Sequence, residues 1–182
     1  MLNSTHGNQS FGSLHLVWQG VLDRAITNRT PPRSVLILGF GGGSAFHILR
    51  QEMGLTMPVT AVEIDPVMIQ LAVLHFNHLH DPDLRLIEGD ATILVHGMTE
   101  RFDLVLVDLF DDLDLARGVD TNGFAHALRD RCAENGSVYF NTVAYSVNSD
   151  LRCQRVRHQL AKAFLQVDEW AFEGSNRVFV AH

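Results

Sequence analysis

Apolar residues along the chain form two kinds of pattern, and the two kinds alternate. Short continuous apolar runs, typical of strands buried on both faces of a parallel sheet, occur at 34–39, 59–63, 84–88, 103–108 and 137–144. Helical spacing and capping residues predict helices from Ser13 to before Thr30 and at 44–53, 65–77, 91–96, 121–134 and 149–164. This alternation predicts a doubly wound α/β domain with a mostly parallel sheet.

Two further strands are predicted at the end of the chain, at 166–172 and 177–181. A parallel crossover needs about a dozen residues or more, so these two strands must pair as an antiparallel hairpin. A seven-stranded, mostly parallel sheet that ends in such a hairpin is typical of the Rossmann-like methyltransferase fold, whereas ordinary dinucleotide-binding folds lack it. We therefore predict one domain of this fold over residues 13–182, preceded by a polar, glycine-punctuated arm at 1–12.

The first buried strand runs into a glycine-rich turn, Gly39-Phe40-Gly41-Gly42-Gly43-Ser44, which opens a predicted helix. Glycines there allow a positive φ and a close backbone approach, and a helix N-terminus offers free N–H groups to a polar or anionic ligand. The match to the dinucleotide pattern G-x-G-x-x-G is partial because Ser44 replaces the third glycine. We interpret the turn as a cofactor-binding element; a tight strand-to-helix turn without a ligand is the alternative.

Carboxylates follow the next two strands. Glu63 ends the second strand, 24 residues after Gly39, where an acidic side chain can accept hydrogen bonds from both ribose hydroxyls. Asp90 ends the third strand and can either accept a hydrogen bond from an adenine amine or cap the helix that follows; Asp65 is predicted to be a helix cap. Because ligands of open α/β sheets bind at the carboxyl ends of the strands, these features predict a nucleoside site.

An acidic segment follows the fourth strand. Asp108 ends the strand, and Asp111 and Asp112 lie in the loop after it. Clustered carboxylates attract cations, so they suit the binding of an amine and acceptance of its proton. A solvated acidic loop is the alternative. A metal could be held here or near His75, His78, His80 and Asp81, but nothing else in the sequence supports a metal, and we predict none.

These segments resemble the spermidine synthase (polyamine aminopropyltransferase) family, a branch of the class I S-adenosylmethionine-dependent methyltransferase superfamily. The family's strand followed by G-G-G-D-G-G corresponds to residues 35–44, and its E-I-D corresponds to Glu63-Ile64-Asp65. Its G-D corresponds to Gly89-Asp90, and its D-S-S-D-P loop, whose first Asp is the catalytic base, to residues 108–112. The glutamine that ends the family's fifth strand falls on Asn141.

The resemblance implies a transferase that binds S-adenosylmethionine or decarboxylated S-adenosylmethionine and moves a methyl or aminopropyl group to a small amine acceptor. The catalytic residues it implies are Asp108 and Asp111. The implied cofactor-binding residues are Gly39, Gly41, Gly42, Gly43, Glu63, Ile64, Asp90, Ala91 and Asp108.

Several positions depart from the family pattern. The motif Asp that holds the donor's amine falls on Gly42, and the proline after the second loop Asp is Asp112. The family's N-terminal β-domain is expected to be missing or reduced to residues 1–12. The resemblance therefore supports nucleoside binding more strongly than it supports aminopropyl transfer. A catalytically degenerate nucleoside-binding or assembly module is the second interpretation. An NAD-dependent oxidoreductase is the third, and the partial glycine pattern and the hairpin count against it.

Composition narrows the partners. The net charge of -7 over 182 residues argues against nonspecific nucleic-acid binding, which needs a basic surface. Neither a membrane-spanning apolar run nor a leader pattern is present, so we expect no membrane association and a cytoplasmic location. Cys132 and Cys153, both on predicted helices, are expected to be buried thiols. The apolar first helix leaves a homodimer open.

Overall fold

Strands and helices alternate along the chain as the sequence predicts. The computed structural model describes residues 2–3, 8–10, 13–27, 29–76, 81–112, 114–172 and 174–182. The helices are α1 (Ser13–Ile26), α2 (Ser44–His47, continued by a π-helical turn at Ile48–Glu52), α3 (Pro66–Phe76), α4 (Ala91–Gly97), α5 (Asn122–Arg131) and α6 (Val147–Ala163). The strands are β1 (Leu2–Asn3), β2 (Asn8–Ser10), β3 (Val35–Leu38), β4 (Val59–Glu63), β5 (Leu84–Glu88), β6 (Phe102–Val107), β7 (Phe110–Asp111), β8 (Asp114–Leu115), β9 (Cys132–Val143), β10 (Val167–Ala171) and β11 (Asn176–Ala181).

Seven strands form one mostly parallel sheet in the order β10-β11-β9-β6-β3-β4-β5. Strand β4 pairs in parallel with β3 and β5, and β6 pairs in parallel with β9. At the chain's end β10 and β11 pair in antiparallel register, from Val167 opposite Ala181 to Ala171 opposite Arg177, and β11 is also antiparallel to β9. The predicted fold class and its C-terminal hairpin are therefore confirmed. The chain divides into two compact units, residues 1–91 and 92–182.

In the first unit the apolar positions of α1 and β3 form the core. Val17, Trp18, Val21 and Leu22 recur at helical spacing and are buried, as are all four residues of β3. The π-helical turn after α2 is held by Arg50, whose guanidinium donates to Asp81 at 2.8 Å and to the carbonyl oxygens of two residues in the following loop. The predicted helix over 44–53 thus corresponds to α2 and this turn.

In the second unit two helices begin at side-chain caps. The Thr121 hydroxyl accepts a hydrogen bond from the backbone N–H of Phe124 at the start of α5. Ser146 and Ser149 form a reciprocal capping box, each side chain accepting from the other's backbone N–H. Helix α6 therefore starts at Val147, two residues before the predicted start.

The boundary between α5 and β9 differs from the prediction. The helix was predicted to reach Glu134, but α5 ends at Arg131 and Cys132 is the first residue of β9, so the placement of Cys132 on a helix is wrong. Pairing with β6 explains the difference, because Cys132 lies opposite Phe102. At Gly136 an added Cβ would lie 2.8 Å from the carbonyl oxygen of Phe102. Tertiary pairing has overridden the local helical pattern.

Two short strand pairs were not predicted. Strands β1 and β2 pair within the N-terminal arm, with Leu2 opposite Ser10. Strands β7 and β8 form a small hairpin in the acidic loop, with Phe110 opposite Leu115. In the described part of the chain, every helix is too short or too polar to cross a bilayer.

Candidate functional site

The glycine-rich turn joins β3 to α2 in a backbone conformation that favours glycine. Its φ angles are 89° at Gly39, 53° at Gly41 and 83° at Gly43. The N–H groups of Gly39 and Phe40 both donate to the carbonyl oxygen of Val62, at 3.0 Å each. The turn is thereby fixed against the end of β4. Gly42, where the family pattern has an aspartate, lies buried within it.

Glu63 ends β4, and its buried carboxylate is hydrogen-bonded to the glycine turn. Its Oε2 accepts from the backbone N–H of Gly41 at 2.6 Å. Its Oε1 accepts from the N–H groups of Ile64 and Asp65, at 2.9 and 3.0 Å. A carboxylate has about four lone-pair positions, and three of them are used by these hydrogen bonds inside the unit. This structural role of Glu63 was not predicted from the sequence.

Beside Glu63 lie an apolar side chain open to solvent and a helix cap. Ile64 is 63% exposed, which leaves an apolar face at the carboxyl end of β4. Asp65 accepts a hydrogen bond at Oδ1 from the N–H of Val67 at 2.8 Å and so caps α3, as predicted.

Asp90 follows β5 and is placed next to the end of β4 by its neighbour. The N–H of Gly89 donates to the carbonyl oxygen of Glu63 at 2.8 Å. Asp90 is half-buried, and Ala91 after it is buried as the first residue of α4. The structure therefore places the glycine turn, Glu63 and Asp90 at the carboxyl ends of three adjacent strands of the first unit.

The second unit carries another polar group, at the ends of β6, β9 and β11. Asp108 follows β6, and its Oδ1 accepts a hydrogen bond from the Nδ2 of Asn141 at 2.9 Å. The Oδ1 of Asn141 accepts in turn from the Nδ2 of Asn176 at 3.1 Å. Asn141 is fully buried. The amide chain therefore fixes the orientation of the Asp108 carboxylate. No feature of the sequence indicated the role of Asn176.

The acidic loop after Asp108 is folded into the β7–β8 hairpin. Asp111 is exposed on β7, and Asp112 has a left-handed φ of 59° at the turn. The hydroxyl of Tyr145 donates to the Oδ1 of Asp114 at 2.7 Å, and this hydrogen bond raises the pKa of Tyr145. Tyr145 had no distinguishing feature in the sequence.

Arginines of α6 hold the rest of this loop. The guanidinium of Arg152 donates to the carbonyl oxygens of Leu115 and Ala116. Arg155 donates to Asp120 at 3.0 Å, and Arg152 lies 3.6 Å from the same carboxylate. Burial acts to raise the pKa of Asp120, but the hydrogen bond from Arg155 and the charge of Arg152 outweigh it and hold this pKa below its ordinary value. The loop after Asp108 is therefore anchored to α6.

The suggested histidine metal site falls mostly on residues that the structure does not describe. His78, His80 and the side chain of His75 lie outside the described residues, and Asp81 is bound by Arg50. Among the residues that are described, no three or more His, Cys, Asp or Glu side chains are grouped so that they could hold a metal ion.

The family assignment follows from comparison with known domains. The model of the spermine/spermidine synthase domain matches residues 21–172. The chain belongs to the spermine/spermidine synthase domain family. Among curated members, it is 31% identical to a polyamine aminopropyltransferase of Korarchaeum cryptofilum over 158 residues, which cover 78% of this chain and 48% of that protein. The chain spans about half or less of the length of the curated relatives it matches.

Solved structures share the fold at low sequence identity. Human methyltransferase-like protein 13, in complex with SAH, superposes with a TM-score of 0.76 at 17% identity, over 94% of this chain and 82% of that one. Spermidine synthase from Thermotoga maritima superposes with a TM-score of 0.71, also at 17% identity, over 92% of this chain and 58% of that one. These likenesses place the family member in the Rossmann-like methyltransferase fold.

Proposed function

We propose that this chain is a transferase that uses S-adenosylmethionine or its decarboxylated form and transfers a methyl or aminopropyl group to a small amine of the polyamine class. The observation that carries the proposal is the hydrogen bond from the buried Asn141 to Asp108, which fixes a carboxylate at the carboxyl end of β6. Ligands of open α/β sheets bind at this edge. The family match over residues 21–172 supports the same reading.

The first unit supplies residues suited to a nucleoside. The Glu63 carboxylate keeps one acceptor position for a ribose hydroxyl, and Asp90 is a half-buried acceptor for an exocyclic amine. Ile64 offers an exposed apolar face, and Ala91, which follows Asp90 in the sequence, is buried. The turn containing Gly39, Gly41, Gly42 and Gly43 is the backbone element for the rest of the cofactor.

In the second unit Asp108 is the proposed base. The cofactor supplies a sulfonium, whose thioether is a good leaving group, so the protein needs mainly to orient the amine and remove its proton. Asp108 accepts this proton from the amine, while Asp111, exposed on the hairpin, attracts the cationic acceptor. The hydrogen bond from Asn141 keeps the carboxylate of Asp108 in one orientation for this step.

A second candidate is a nucleoside-binding module without turnover. It is favoured by Gly42, which leaves the glycine turn without the carboxylate that the family pattern has there. The same feature bears on the group transferred. Without an aspartate at position 42, the turn lacks the side chain that holds the amine of the decarboxylated donor in the family pattern. Intact S-adenosylmethionine, with methyl transfer, then becomes the better fit.

Binding experiments test these candidates. Calorimetric titration with S-adenosylmethionine, decarboxylated S-adenosylmethionine, methylthioadenosine and NAD separates them. Preference for the decarboxylated donor supports aminopropyl transfer, and preference for the intact donor supports methyl transfer. Preference for NAD, or no binding of any of the four, overturns the proposal. Nucleoside binding without turnover on any amine supports the module.

A variant tests the proposed base. Asp108→Asn is expected to lower turnover by about a hundredfold or more while nucleoside affinity changes little, because proton removal is lost and the side-chain shape is kept. Asp130→Asn, at an exposed position of α5, is the matched control and is expected to leave both quantities unchanged. Equal losses of turnover and affinity in Asp108→Asn would contradict the assignment of Asp108 as the base.

A further inference from the structure

The two asparagines beside Asp108 form a hydrogen-bond chain with a definite direction. An ionised carboxylate only accepts, so the Nδ2 of Asn141 must face Asp108, 2.9 Å away. The Oδ1 of Asn141 then faces Asn176, which must donate through its own Nδ2, 3.1 Å away. While Asp108 is ionised, both carboxamides are therefore held in this orientation.

We propose that Asn141 and Asn176 are positioning residues whose carboxamides reverse together when Asp108 takes up a proton. This inference rests on the proposed function, in which Asp108 is the base. As the amine nitrogen bonds to the transferred carbon, the carbon–sulfur bond of the sulfonium breaks and its electron pair stays on the sulfur of the departing thioether. The N–H bond of the amine breaks and an O–H bond forms on Asp108. That hydroxyl donates to the Oδ1 of Asn141, and the Nδ2 of Asn141 donates to the Oδ1 of Asn176. The proton later leaves to solvent, and both amides turn back.

Because Asn141 is buried, its carboxamide must keep protein hydrogen-bond partners in both charge states of Asp108. Asn141 is 0% exposed, so solvent water does not replace a partner that its amide loses. A carboxamide presents a donor and an acceptor of nearly equal size, so half a turn about its terminal bond exchanges them. In each charge state of Asp108 the chain makes the same two hydrogen bonds. A base that changes its charge during every turnover therefore keeps its position.

Other charged groups of the second unit bear on the titration of Asp108. On the adjoining hairpin these are Asp111, Asp112 and Asp114, and Asp114 accepts a hydrogen bond from Tyr145. On β11 the charged residue is Arg177, next to Asn176. Its guanidinium lies 2.6 Å from Asp150 and 3.7 Å from Glu169. These groups are retained in the variants below, so their own charges do not differ between the wild-type protein and the variants.

The reversal is tested with Asn176→Asp. The new carboxylate only accepts, so Asn141 must turn its Nδ2 towards it and present Oδ1 to Asp108, which favours protonated Asp108. Side-chain amide resonances of the ¹⁵N-labelled protein are followed against pH. We expect the midpoint reported by Asn141 to rise by about one pH unit or more. The acidic limb of the pH–rate profile is expected to move in the same direction.

The matched control is Asn135→Asp. Asn135 is exposed on the same strand, six residues before Asn141 and so about 20 Å away along β9. Asn135→Asp adds the same charge as Asn176→Asp and is expected to leave the titration midpoint reported by Asn141 unchanged. The isosteric Asp108→Asn provides a second measurement if Asn176→Asp does not fold, because the pH response of the Asn141 resonances must then disappear.

The outcomes separate this inference from the proposed function. A midpoint that is the same in Asn176→Asp and Asn135→Asp overturns the reversal, even if the protein turns over an amine. An Asn141 response that persists in Asp108→Asn also overturns it. A raised midpoint in a protein that turns over no amine supports the reversal and counts against the proposed function alone.

Discussion

Replacing Glu63 by Gln isolates the part of its role that needs no ligand. The carboxylate is 8% exposed and accepts three backbone N–H groups, those of Gly41, Ile64 and Asp65. A glutamine has one acceptor oxygen and one donor group in the same space. Its oxygen is expected to take the Oε1 position, which serves two donors. Its NH₂ group then meets the N–H of Gly41, donor against donor, where the carboxylate oxygen now lies at 2.6 Å.

The magnitude follows from the bond that is lost. A hydrogen bond to a charged group contributes about 1.5–3 kcal/mol to stability. A buried donor that is left without a partner costs a similar amount, about 1–3 kcal/mol. The two bonds to Oε1 also change from charge-assisted to neutral. We therefore expect Glu63→Gln to lower the free energy of unfolding by about 2–3 kcal/mol. For a domain of this size that corresponds to a fall in Tm of about 4–12 °C.

Thermal unfolding of the ligand-free protein, followed by circular dichroism, measures this change. Glu88→Gln is the matched control, because Glu88 is exposed at the end of β5, paired opposite Glu63 in the sheet register. It is expected to change stability by less than about 0.5 kcal/mol. If the two variants melt at the same temperature, the hydrogen bonds of Glu63 do not stabilise the glycine turn and the reasoning fails.

Four further predictions follow from the same contacts. With one acceptor position left on Glu63, only one of the two ribose hydroxyls should contribute to affinity, so the 2′- and 3′-deoxy forms of methylthioadenosine should differ about tenfold in Kd by calorimetry; equal losses would contradict this. Gly136→Ala should destabilise the protein by about 1–3 kcal/mol in urea unfolding, because the new Cβ meets backbone oxygens of β6 at 2.8 and 3.0 Å; unchanged stability would show that β9 can move aside. Ser146→Ala should cost about 1 kcal/mol by the same assay through loss of the α6 cap, with no change if the cap is not formed in solution. Burial raises the pKa of Cys132 to about 11 and also raises the pKa of Cys153, so both thiols should resist disulfide reagents at pH 8 until the protein unfolds. Because the Cys132 thiol of the unfolded chain loses its proton from about pH 9, the free energy of unfolding should fall as pH rises from 9 towards 11.

The sequence by itself determined the order and type of the main elements. Apolar runs such as 35–38 and capping residues such as Asp65 act within a few residues of themselves, so their pattern can be interpreted without the fold. The short connection between β10 and β11 left an antiparallel hairpin as its one geometric solution, and the structure contains it. The same reasoning located Glu63, Asp90 and Asp108 at strand ends.

Tertiary structure decided what these residues contact. Glu63 reaches Gly41 across 22 positions, Asn141 reaches Asp108 across 33, and Asn176 reaches Asn141 across 35. Such hydrogen bonds depend on which strands are neighbours in the sheet, and local spacing does not contain that information. The start of β9 has the same cause. Residues at 132–134 fit a helix locally, but pairing with β6 satisfies their backbone groups in the sheet, and the longer-range interaction determines the structure.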